Sequence, residues 1–165
     1  MAFKEVDIKS LNFNPFTKIG SEWMLITAGD ESGCNTMTAS WGGLGVLWGK
    51  NVATCYTRPQ RYTKKFVDAN DTFTLSFYGP EYKQALSICG SKSGRDCDKV
   101  KEAGLTPYFT DGTAAFEEAG MVFVCRKLYE DEIKPENLSQ KRTMENGIRR
   151  KITIQCILQR SQKCL

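Results

Sequence analysis

Residues 35–63 read N-T-M-T-A-S-W-G-G-L-G-V-L-W-G-K-N-V-A-T-C-Y-T-R-P-Q-R-Y-T, and the fold is decided here. Thr36 to Trp41 alternates polar and apolar residues as a strand does. A glycine-rich connection follows, Val52 to Thr57 makes a second strand, and an Arg-Pro turn opens a helix. Side chains alternate across a pleat, so the small residues Thr38, Ala39 and Ser40 leave a flat heterocycle room to reach main-chain N–H and C=O groups. Beyond Thr57, Arg58, Arg61, Tyr62 and Thr63 gather at the helix start, where unpaired N–H groups and guanidinium forks favour an anion such as a phosphate.

A second segment, Gly90 to Lys99 (G-S-K-S-G-R-D-C-D-K), has a matching character. Ser91, Ser93 and Gly94 offer hydroxyls and a pliable backbone for an anion-binding nest, Arg95 adds a fixed charge, and Asp96 is placed to cap the helix continuing through Val100. By itself this reads as a solvated capping loop. After R-P-Q-R-Y-T in the same chain, a ligand loop is the better reading.

N-T-M-T-A-S-W-G, C-Y-T-R-P-Q-R-Y-T and C-G-S-K-S-G-R-D-C-D-K, in that order, resemble the flavin reductase family with the FMN-binding split barrel, including its flavoredoxin-like members. The resemblance runs from about Ser21 to about Glu136. It implies a mainly β, antiparallel Greek-key split barrel with a few short helices, FMN as cofactor, NADH or NADPH as electron donor, and a small acceptor such as free flavin, a disulfide or a ferric complex. Asn35, Thr36, Met37, Thr38, Ala39 and Ser40 would then run along the isoalloxazine, with Trp41 shielding it. Arg58, Tyr62, Thr63, Ser93, Gly94 and Arg95 would hold the phosphate and ribityl chain, with Cys89 and Gly90 opening the loop. No side chain is implied as general acid or base, since hydride transfer to a flavin needs none. A homodimer with FMN near the subunit contact is also implied. The alternative is an FMN-binding protein without turnover.

A length of 165 residues is one domain's worth, without repeats or linker-like runs. Met1 to Ser10 carries four charges and no apolar core, and no later apolar run approaches membrane-spanning length, so a soluble cytoplasmic protein is expected, with no membrane partner. The net charge of +4 is unevenly spread: from Lys141 onward seven basic residues face one acidic residue, which leaves residues 1–140 slightly acidic. That distribution argues against nucleic acid as a partner. Seven cysteines without a C-x-x-C pair, in a chain without histidine, exclude the usual zinc spacings and suit reduced structural thiols. Cys89 is expected to be buried and inert rather than a redox centre.

Along the rest of the chain, Phe3 to Phe16 is expected as an irregular lid with Leu11, Phe13 and Phe16 packing on the barrel. Glu22 to Ala28 is expected as a strand buried on both faces, and Gly29 to Gly33 as a hairpin turn. The glycines from Gly42 to Gly49 suit a bend at a barrel corner, with Leu44 to Trp48 capping it or meeting a second subunit. Gln60 to Ala69 reads as a short helix, Thr72 to Tyr78 as a half-buried strand, and Pro80 as the start of a helix carrying Tyr82, Ala85, Leu86 and Cys89. Phe109 to Phe116 reads as short extended pieces about Asp111-Gly112, and Gly120 to Glu132 as one long strand.

After Pro135 the resemblance stops, where family members close with a K-D-Y-H-x-M-Y-I-x-E-I type strand. Residues 141–165 therefore stand apart as an atypical basic tail. One consistent choice of codons from Met144, read two bases out of phase, gives G-K-W-Y-T-K-K-D-Y-H-T-M-Y-I-A-E-I-T-K-V-L. An out-of-frame translation beginning between about Glu136 and Met144 is one reading of the tail. The other takes Ile152, Ile154, Cys156 and Leu158 as a genuine amphipathic strand.

Overall fold

A computed structural model describes residues 3–137, 139, 153–156 and 160–164. Its strands are β1 (Phe3–Val6), β2 (Met24–Asp30), β3 (Gly33–Ala39), β4 (Gly42–Leu47), β5 (Lys50–Thr57), β6 (Thr72–Phe77), β7 (Pro107–Thr110), β8 (Thr113–Phe116), β9 (Met121–Arg126), β10 (Tyr129–Glu132), β11 (Thr153–Cys156) and β12 (Arg160–Cys164). The helices are α1 (Pro15–Gly20), α2 (Tyr62–Ala69), α3 (Lys83–Ser91) and α4 (Lys99–Glu102). One sheet runs β1-β12-β9-β6-β2-β3, a second β10-β11-β5-β4, and β7-β8 is a separate hairpin. Every pairing is antiparallel, which with so few short helices is the split-barrel plan expected from the sequence.

The six-stranded sheet is covered on both faces. From β2, Ile26 and Ala28 enter a core shared with Met37, Ala53, Val67 and Phe123, while Leu25 enters a second core with Leu86, Cys89 and Phe116 beneath α3. That explains why Met24 to Gly29 is buried without interruption. Full burial also extends to β6, where period two predicts one wet face: Thr74 and Ser76 are as buried as Phe73 and Leu75, because β8 packs against β6. Thr74 Oγ1 donates to Ala114 O at 2.6 Å, so its hydroxyl is satisfied there.

Several expectations change. The N-terminal segment is β1, a 3-10 turn at Ile8–Ser10 and α1, whose start is capped by the Asn14 side chain with Pro15 in the first turn. Leu11 and Phe13 do pack on the core, whereas Phe16 is 87% exposed on the outer face of α1. The glycine-rich connection is a strand, β4, hairpinned to β5 through Trp48 and Gly49, whose φ values of 51° and 69° are those a two-residue hairpin turn of primed type needs. Gly120 to Glu132 is two strands in two different sheets, separated at Lys127 and Leu128. The cap of α4 is Asp98, whose Oδ1 accepts from Lys101 N at 3.1 Å, rather than Asp96.

In the tail, β11 lies between β5 and β10, and β12 lies between β9 and β1. β11 falls within the amphipathic strand read from Ile152 to Leu158, of which 152 and 157–158 lie outside the described residues, as does the segment 140–150. Among the described residues no helix is long and apolar enough to cross a membrane.

Candidate functional site

The three motifs converge because β3 sits at the edge of the six-stranded sheet, where α2 and α3 both pack against it. Thr38 Oγ1 donates to Leu86 O, and a Cβ on Gly90 would stand 3.1 Å from Thr38 Cβ, so the last turn of α3 lies directly on β3. Thr63 Oγ1 at the start of α2 donates to Asn35 Oδ1 at 3.0 Å. The Asn35 amide in turn fills the space beside Gly94. A single buried asparagine therefore ties strand, helix and loop together.

Two clefts adjoin at Arg58 and Arg61, which line both. The first is lined by consecutive residues at the β3 end, Met37 to Trp41, and by Tyr56 of β5. The second, of about 370 Å³, lies between the start of α2 and the loop after α3. It takes Tyr62, Thr63, Gly90, Ser93 and Arg95, all anticipated, together with Gln60, Ser91, Lys92 and Lys99. Four of the expected residues line neither cleft. Thr36 is fully buried, 2.8 Å from Thr27 Oγ1, Cys89 faces the core beneath α3, and Asn35 and Gly94 pack on each other behind the loop.

The second cleft is lined by five cations and no carboxylate. Lys92 is neutralised by Glu102. Arg61 Nη1 donates to Gly90 O at 2.5 Å, and burial, with Arg58 nearby, pulls its pKa below the usual arginine range. Arg95 lies over the Tyr62 ring at 4.8 Å and reaches Gln60 O at 3.3 Å.

Lys99 was not singled out from the sequence. It is 4% exposed, and its Nζ donates to Cys89 O and Lys92 O at 3.2 Å each, with no carboxylate partner. Burial pulls its ammonium below the usual lysine range, and the Arg61 charge pulls it further the same way. A buried cation held only by carbonyls is costly unless an anion completes it. One signal was available: Lys99 stands at the first position of α4, where the helix dipole disfavours positive charge.

The family described as flavin reductase like domain matches residues 16–134. The chain belongs to that family. No curated protein matches the sequence. Among solved structures, the flavin reductase fold recurs in an FMN-binding domain of a flavin reductases-like enzyme from Shewanella baltica, with 13% identity, a TM-score of 0.70 and coverage of 98% of this chain and 77% of that one. It recurs also in flavoredoxin of Desulfovibrio vulgaris (18% identity, TM-score 0.63, 94% and 75% covered) and in an FMN-binding protein from Thermus thermophilus solved with p-hydroxybenzaldehyde (14%, 0.67, 98% and 82%). At these identities the likeness is one of fold. Within this flavin reductase-like chain, the matched span contains both clefts.

Proposed function

We propose that the protein binds FMN across the two clefts and passes electrons from NADH or NADPH through it to a small acceptor. The observation that carries this reading is the junction of a cleft walled by main chain and small side chains with a cleft of cations lacking any acid. A ring with carbonyl and amide edges suits the first, and a phosphate monoester dianion suits the second. Arg61, Lys99 and Arg95 supply the charge, Ser91 and Ser93 the hydroxyls, and Thr38 to Ser40 the main-chain partners for the ring. Arg58 stands on the wall that the two clefts share and is not needed for that charge. FMN, when bound, supplies the capacity to take up a hydride and release electrons. The chain's own part is to fix the ring against β3, to neutralise the phosphate, and to leave the outer side of the ring accessible between Trp41 and Tyr56.

The exposed apolar run of Val46, Leu47 and Trp48 on edge strand β4, with Trp41 nearby in sequence, is the surface we assign to a second copy of the chain.

The test is direct. Protein purified and reconstituted with FMN should carry a flavin absorbance that bleaches when NADH or NADPH is added without oxygen and returns when an acceptor is supplied. Retained flavin that neither nicotinamide bleaches would make the protein a carrier of FMN without turnover. Failure to retain FMN would refute the reading altogether.

A further inference from the structure

Of the five cations around the clefts, four have partners within the chain: Arg61 on Gly90 O, Lys99 on Cys89 O and Lys92 O, Arg95 on Gln60 O and the Tyr62 ring, and Lys92 on Glu102. The fifth, Arg58, is half-buried, and its guanidinium has no hydrogen-bond or ion-pair partner among the described residues. Its backbone is nonetheless fixed. Arg58 directly follows β5, Pro59 restricts it from the next position, and Arg61 N donates to Arg58 O at 2.9 Å to close the turn.

A guanidinium carries five donors, and that of Arg58, on the cleft wall, is not taken up by any acceptor among the described residues. The position therefore suits an anion that comes and goes. A terminal phosphate dianion in the second cleft is already faced by Arg61, Lys99 and Arg95, and these three suffice to neutralise its charge. Arg58 also lines the first cleft, together with Tyr56 and Thr38 to Trp41, where a second reactant would approach a ring lying on β3.

Resting on the function proposed above, we infer that Arg58 is the binding residue for the diphosphate of the dinucleotide electron donor, and not a further grip on the flavin's own phosphate. The unpartnered guanidinium on the wall common to both clefts meets the donor's diphosphate while the nicotinamide lies against the exposed side of the flavin. The diphosphate is common to NADH and NADPH, so Arg58 serves both alike.

The experiment compares wild type, Arg58→Met and Arg58→Lys, each loaded with FMN, for anaerobic flavin reduction by NADH, by NADPH and by 1-benzyl-1,4-dihydronicotinamide, which carries no phosphate. Loss of charge-assisted bonds from Arg58→Met should raise the KM for NADH and NADPH about tenfold to a hundredfold, with kcat changed far less. Reduction by the benzyl donor and the dissociation constant for FMN should each move by no more than about twofold, and Arg58→Lys should recover part of the loss. An unchanged KM for the dinucleotides, an equal loss with the benzyl donor, or an FMN affinity that falls tenfold would each overturn the assignment while leaving the proposed function standing. Wild type that no donor reduces would overturn both.

Discussion

The side chain of Asn35 occupies the space that any side chain on Gly94 would need, so β3 and the loop after α3 touch with nothing to spare. Gly94→Ala forces one of the two to move. The expected cost is about 1–3 kcal/mol in stability, typical of overpacking, together with a weaker hold on FMN because the loop that carries Ser93 and Arg95 shifts. Thermal melts and a flavin fluorescence titration measure the two effects. Wild-type values for both would show the contact to be loose.

Lys99→Met keeps the volume of the buried chain and removes its charge. The flavin-free protein should become more stable, since a buried cation without a carboxylate is relieved. Affinity for FMN should fall about tenfold or more, whereas riboflavin, which lacks the phosphate, should bind as it does to wild type. Equal losses for both flavins would place Lys99 in the scaffold alone.

Burial pushes the Cys89 thiol from an ordinary 9.0 up to about 11. Between those values the unfolded chain has given up its proton and the native chain has not, so this thiol's contribution to stability is complete below pH 9 and lost as pH rises toward 11. The slope is at most about 1.4 kcal/mol per pH unit. Tyr78, also buried, acts in the same direction and Lys99 in the opposite one, so the measurement is the difference between wild type and Cys89→Ala in denaturant melts across that range. Native protein at pH 8 should also react with a thiol reagent at the half-exposed Cys34 well before Cys89.

Trp48 is 68% exposed at the tip of the β4–β5 hairpin, beside Val46 and Leu47. Trp48→Asp leaves the core untouched and puts a charge on the surface assigned to a second copy. Light scattering should then report a shift from dimer to monomer. A wild-type monomer, or a variant that stays dimeric, would dismiss that surface.

The tail carries its own test. β12 is an inner strand, paired on one side with the fully buried Met121 to Val124, yet its sequence is R-S-Q-K-C. The out-of-phase reading lays E-I-T-K-V over the same positions, running on from K-D-Y-H-T-M-Y-I-A, the closing strand that the resemblance implies. We propose that this second frame is the one the fold was built for. Sequencing the gene across codons 136–165 and weighing the intact protein decide between the frames, and a gene and mass matching M-E-N-G-I-R-R would end the proposal.

Much of the site could be read in advance because it rests on local chemistry. Thr38 to Trp41 and Tyr62-Thr63 line clefts as their residue types suggested, and Gly90, Ser93 and Arg95 join them. Lys99 escaped notice because its role depends on tertiary burial, which only the packing of α4 under the end of α3 creates. Cys89 and Thr36 were placed in the site by adjacency, and the pleat and the helix turned them inward. For β4, glycine counts suggested a bend, but pairing with β5 satisfied its backbone and overrode that preference. The break between β9 and β10 was invisible for a similar reason: both pieces have strand-like residues, and only the division into two sheets separates them.

The register that joins Phe3 to Cys164 has a bearing on how the molecule is made. Among the described residues β1 pairs with β12 alone, so its hydrogen bonds wait on a strand far along the chain. Such distant pairing slows folding and leaves two lengths of sheet margin bare in the nascent chain. Closure of this edge is therefore a slow, non-local step, and a chaperone that shields strand margins would be expected to raise the yield of native protein.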